Sequence, residues 1–140
     1  MIASLWIVPS STASSIGNSG LIEKTGGTGT STITPKVVSN GTILVSSGTL
    51  DLKGAVSGGS LTAPGTDTIS GASKLEFAST VGSRFAVGSQ DIGFTFGGTL
   101  DLADPKGFWG VISGFAPSDA VDLLGNWTFA GSPLLATSGS

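Results

Sequence analysis

Cysteine, histidine and tyrosine are absent from this 140-residue chain, arginine occurs once, and charged residues make up only 11% of it. Each shortage removes a class of answer. Without His or Cys there is no Ser-His-Asp or Cys-His nucleophile system, no zinc site of the usual ligand types and no disulfide framework. Six basic residues are scattered among nine acidic ones, for a net charge of −3 and an isoelectric point near 4.5. Phosphate binding demands clustered Lys and Arg, so nucleic acid is not an expected partner. No run of about eighteen apolar residues occurs either, which excludes a membrane-spanning helix.

What is abundant is small: Gly fills 23 positions, and Ser and Thr follow closely. Such chains are often linkers, but disordered chains combine low hydropathy with high net charge. Here the mean hydropathy is +0.36 and 39% of residues are hydrophobic, which favours a folded body of one domain. The expected organisation is an N-terminal cap or linker over residues 1–24, a folded domain over 25–130 and a C-terminal tail over 131–140. Within the first part, Pro9 to Gly20 reads as linker. Met1 to Val8 is apolar without the basic start of a secretory signal, so Leu5, Trp6 and Ile7 are read as covering one end of the core.

An internal repeat sets the frame. Gly48-Thr49-Leu50-Asp51-Leu52 recurs letter for letter as Gly98-Thr99-Leu100-Asp101-Leu102, and Gly41-Thr42-Ile43-Leu44-Val45 is a looser copy. Period-two alternation, the mark of a half-buried strand, appears in Thr49 to Leu52, Lys74 to Phe77, Arg84 to Val87, Ile92 to Phe96 and Ala120 to Leu123. The predicted inward residues are Ile43, Leu50, Leu61, Ile69, Leu75, Phe85, Phe94, Leu100, Val111 and Val121. They recur about every 8–9 residues, the rhythm of an all-β fold. No window carries a helical apolar stripe.

Two architectures fit, an antiparallel β-sandwich and a right-handed parallel β-helix (β-solenoid). A sandwich of hairpins calls for Asn-Gly or Asp-Gly turns, and only Asn40-Gly41 qualifies. A solenoid calls for small corner residues, so that coils stack at about 4.8 Å, and for few charges in register. The composition favours the solenoid. Three strands make a coil of roughly 26 residues, so the chain holds about four to five coils.

The segment Gly97 to Leu123 resembles a repeat unit of secreted or surface-anchored bacterial proteins of the autotransporter passenger and β-strand-repeat adhesin type. In that family a G-T-L-x-L strand is followed by D-x-P, F-x-G-x-I-x-G-F and a G-D-x-I-D-L strand. Asp104-Pro105, Phe108, Gly110, Ile112, Gly114-Phe115 and Asp119 to Leu123 occupy those places, with Ser118 where Gly is usual. The resemblance spans about residues 25–125. It implies an extracellular β-helix at the bacterial surface, serving as adhesin or structural stalk, with host or environmental glycans or surface proteins as partners. It carries over no catalytic, cofactor or metal residue, and none is assigned. From the residues themselves, Phe108, Trp109, Ile112 and Phe115 are expected to close the core at one end.

Several constellations are worth locating in three dimensions. Asp101, Asp104, Asp119 and Asp122 could offer oxygen ligands to calcium, but read better as turn caps and outward strand positions, and the calcium nonapeptide pattern is missing. A polysaccharide-degrading or carbohydrate-binding module is the alternative function. It would use Asp51 with Glu76, or Arg84 with Asp91, as its polar pair, and Trp109 or Trp127 as a sugar platform. Thr28, Thr30, Thr32 and Thr34 form a short T-x-T run, read as a solvated edge. Asn40-Gly41-Thr42 and Asn126-Trp127-Thr128 match the glycosylation pattern, which Thr-rich chains produce by chance.

Overall fold

A computed structural model describes residues 14–125 and shows a parallel β-solenoid of five coils. The first coil carries β1 (Ser15–Asn18), β2 (Leu21–Lys24) and β3 (Thr30–Ile33), and the second β4 (Lys36–Ser39), β5 (Thr42–Val45) and β6 (Thr49–Leu52). The third consists of β7 (Val56–Ser57), β8 (Gly65–Ser70) and β9 (Lys74–Phe77). In the last two coils the first side shrinks to single bridges at Val81 and Phe108, followed by β10 (Gln90–Thr95) and β11 (Gly98–Leu102), then β12 (Val111–Ser113) and β13 (Asp119–Leu123). Every pairing between these strands is parallel, which replaces the sandwich alternative.

Three walls result. The first is β1-β4-β7, extended by the bridges; the second β2-β5-β8-β10-β12; the third β3-β6-β9-β11-β13. Because side chains alternate along a strand, each wall sends every second residue inward, where register stacks like upon like. The first wall contributes Ile16, Val37, Val56, Val81 and Phe108. The third contributes two stacks, Leu50-Leu75-Leu100-Val121 and Ile33-Leu52-Phe77-Leu102-Leu123. Leu50, Leu75 and Leu100 have no exposed surface, and each such side chain contributes about 1.5–3 kcal/mol by leaving water.

Corners decide which residues the frame tolerates. Gly48 has a left-handed φ of +63°, and a Cβ there would lie 2.5 Å from the Gly29 carbonyl oxygen of the coil beneath. A side chain is excluded twice over, by conformation and by close stacking. Two coils on, the same corner between the second and third walls places Phe96 at φ 62°, with 91% of its surface exposed. That is a costly conformation for a bulky residue.

Some inward readings are corrected. Leu61 is 68% exposed, Phe85 84% and Val111 47%. Leu61 lies in the loop between β7 and β8. The Arg84 to Val87 alternation is no strand but a tight turn closed by a Ser83–Ala86 bridge, in the loop between Val81 and β10. Val111 is on β12, whose outward parity it shares with Asp91 and Thr66 on the rungs below. The remaining predicted inward residues are buried, Val121 partly. The solenoid also starts earlier than residue 25: β1 and β2 already form rungs beneath β4 and β5, so the supposed linker of residues 9–20 contributes a strand. Asn18 anchors it, donating from Nδ2 to Ser39 Oγ and to the Thr42 carbonyl. The reading of Leu5, Trp6 and Ile7 as a cap lies outside the described residues. Among those described, no helix is long and apolar enough to cross a membrane.

Candidate functional site

Asp101, Asp104, Asp119 and Asp122, the candidate calcium ligands, do not converge. Asp104 caps a single turn of 3-10 helix, accepting from the Gly107 N–H at 3.2 Å, and Asp119 closes the turn before β13 by accepting from the Ala116 N–H at 2.7 Å. Only Asp101 and Asp122 are neighbours, on adjacent rungs. Among the described residues no group of three or more acidic side chains is arranged to hold a metal ion.

The register does assemble a different row. On the outward parity of the third wall, Thr32, Asp51, Glu76, Asp101 and Asp122 stand in successive rungs. Two lysines partly neutralise it: Lys53 reaches Asp51 at 2.8 Å, and Lys74 reaches Asp101 across a rung at 2.9 Å. The hydrogen bonds and charges of those aspartates hold both ammonium groups above the usual lysine range. Asp51 and Asp101 are 5% and 3% exposed. The proposed pair of Asp51 and Glu76 is therefore adjacent, but the buried, ion-paired Asp51 has no access to a glycosidic bond. The other pair is not assembled: the Arg84 guanidinium lies 4.7 Å from the centroid of its neighbour Phe85, while Asp91 accepts from Ser113 Oγ at 2.8 Å.

Aromatic and aliphatic side chains do reach the surface where the coils are longest. Leu61, Phe85 and Val87 project from the loops of the third and fourth coils, and Trp109 is partly exposed beside them in sequence order on the fifth. The Trp109 backbone is pinned, donating to the Val81 carbonyl and accepting from the Gly88 N–H. Phe108 and Ile112 do pack on the core end, and Phe115 meets Phe94 edge to face at 5.6 Å while staying largely exposed. Thr30 and Thr32 are exposed edge positions on β3, and Asn40 accepts from the Gly59 N–H at 2.6 Å. Trp127 and the second glycosylation pattern lie outside the described residues.

The least expected polar groups are inside. In the second wall the inward stack reads Ile22, Ile43, Asp67, Ile92, Ile112. Asp67 is fully buried, and neither carboxylate oxygen has a hydrogen-bond partner. Burial, and secondarily the Asp91 carboxylate, push its carboxyl up to about 7. Two residues before Ile92, the buried Gln90 donates from Nε2 to the Ser39 and Gly58 carbonyls, both at 3.0 Å, and so ties together three coils. Its amide occupies the space left by Gly65, where a Cβ would lie 2.7 Å from Nε2. Assigning aspartate to outward faces by type hides Asp67. Parity exposes it, since the alternation puts Ile69 inward and residue 67 shares its face.

Compared with protein-family models, with curated proteins and with solved structures, the chain matches none.

Proposed function

We propose that this chain is a non-enzymatic, extracellular solenoid segment of a bacterial surface or secreted repeat protein, acting as adhesin or structural stalk. One observation carries the reading: a frame of in-register parallel rungs displays Leu61, Phe85 and Val87 outward on the loops between its strands. Apolar side chains presented this way make individually weak contacts, which become useful in number when copies are displayed together. Beads coated with the purified chain should be retained on target cell surfaces, and retention should fall at least tenfold in a Leu61→Ser/Phe85→Ser double variant of unchanged thermal stability. Equal retention of the two would overturn the adhesin reading.

A carbohydrate-binding module is the second reading, favoured by the partly exposed Trp109 and by the Arg84–Phe85 stack. Sugar-specific binding on a glycan array, abolished by Trp109→Ala, would establish it in place of the first.

A further inference from the structure

Asp67 replaces a branched aliphatic side chain in the middle of an isoleucine stack, with Ile43 on the rung below and Ile92 on the rung above. A carboxylate there would lose its hydration and gain no donor in exchange, since both oxygens lack partners. An unpaired ion in an apolar interior is strongly disfavoured, whereas a neutral carboxyl is tolerated. The groups packed around it do not relieve the charge. From β5 comes Ile43. From β10 come Ile92, the neutral Gln90 amide, whose Nε2 is already committed to Ser39 and Gly58 and whose unpartnered Oε1 can only accept, and the Asp91 carboxylate, which repels a second negative charge.

We propose that Asp67 is a proton-operated lock on the solenoid: with its carboxyl protonated the third coil seats firmly between its neighbours, and loss of that proton loosens the coils around it. The protonated form is favoured in the folded state relative to the unfolded chain, so the stabilisation is fully present below the ordinary carboxylate range. It is lost as pH rises through about 7. The composition isolates the effect. With no His and no Cys in the chain, hardly any other side chain ordinarily titrates between pH 5 and 9. The solenoid would therefore be tightest in acidic surroundings and looser in alkaline ones, whatever surface it contacts.

Denaturant unfolding of the full chain at pH 5 and pH 9 tests this, with Asp67→Asn as the neutral isostere and Asp67→Leu as the apolar replacement. The unfolding equilibrium constant of the wild type should rise about a hundredfold between the two pH values, a rise absent in both variants. A wild-type response that either variant reproduces would overturn the lock. If neither variant folds, carbon-detected NMR titration of the wild-type Asp67 carboxyl decides. A midpoint near 7 supports the proposal, and one in the ordinary range near 4 overturns it.

Discussion

The second and third walls of the solenoid are built on the same rungs, yet their interiors differ. The third wall stacks Leu50, Leu75 and Leu100 without interruption, and flanks them with Ile33, Leu52, Phe77 and Leu102. The second wall places Asp67 and Gln90 among its isoleucines and valines. Gln90 Nε2 donates to two carbonyls while its Oε1 has no partner, and neither oxygen of Asp67 has one. One wall is a sealed apolar seam; the other holds polar groups whose state depends on geometry and protons. The frame can thus spend stability on one side because the other is uniformly packed.

The largest effect that would sharpen this contrast is Leu75→Asp. It puts into the third wall the residue that the second already carries, but with closely packed leucines on both adjacent rungs and no native accommodation. Cooperative thermal unfolding monitored by circular dichroism should disappear, and a folded variant would show that the seam is not sealed. Next comes Gln90→Ala, which strands the Ser39 and Gly58 carbonyls and should cost about 1–3 kcal/mol in denaturant unfolding. A cost near zero would mean that Gln90 does not tie the coils. At the corner joining the two walls, Phe96→Gly should stabilise by about 0.5–1 kcal/mol, because relief of the left-handed strain outweighs the added freedom of the unfolded chain. Destabilisation would show that the Phe96 ring contributes packing after all.

The smallest expected change is on the outer face of the third wall. Lys74→Met removes the partner of Asp101, but the lysine side chain is 39% exposed and screened by solvent, so about 1 kcal/mol or less is expected. Its pH dependence has the opposite sense to a carboxylate's loss in acid. The Lys74 ammonium is favoured in the folded state, so its contribution is present through neutral pH and fades only as pH rises past the ordinary lysine range. A difference between wild type and variant that persists unchanged at pH 12 would show that the pair's charge is irrelevant.

Much of this architecture is legible in the amino-acid order. The repeated Gly-Thr-Leu-Asp-Leu stands two coils apart, at β6 and β11, with Lys74 to Phe77 as the rung between. That spacing alone stacks Leu50, Leu75 and Leu100, and it also implies the acidic row of Asp51, Glu76 and Asp101. The strand-like alternation of Arg84 to Val87 misleads, because a short alternating run looks the same in a strand and in an exposed turn, and only the partner on the next rung tells them apart. Asp67 is hidden for a different reason. Residue type argues for solvent, parity argues for the interior, and the neighbouring rungs let parity win.

Coil length also varies while register does not. From Ser31 to Leu50 the third wall advances one rung in fewer residues than from Leu50 to Leu75; on the first wall the step from Val56 to Val81 equals the latter, and that from Val81 to Phe108 is longer still. The surplus residues are extruded between the rungs, chiefly from Ser60 to Ala63 and from Ser83 to Val87, and the ladders close again behind them. The solenoid therefore counts rungs, not residues. Those two outlets are natural ports for inherited insertions or for grafted peptides, where length and chemistry are free to drift while the scaffold beneath keeps its pitch.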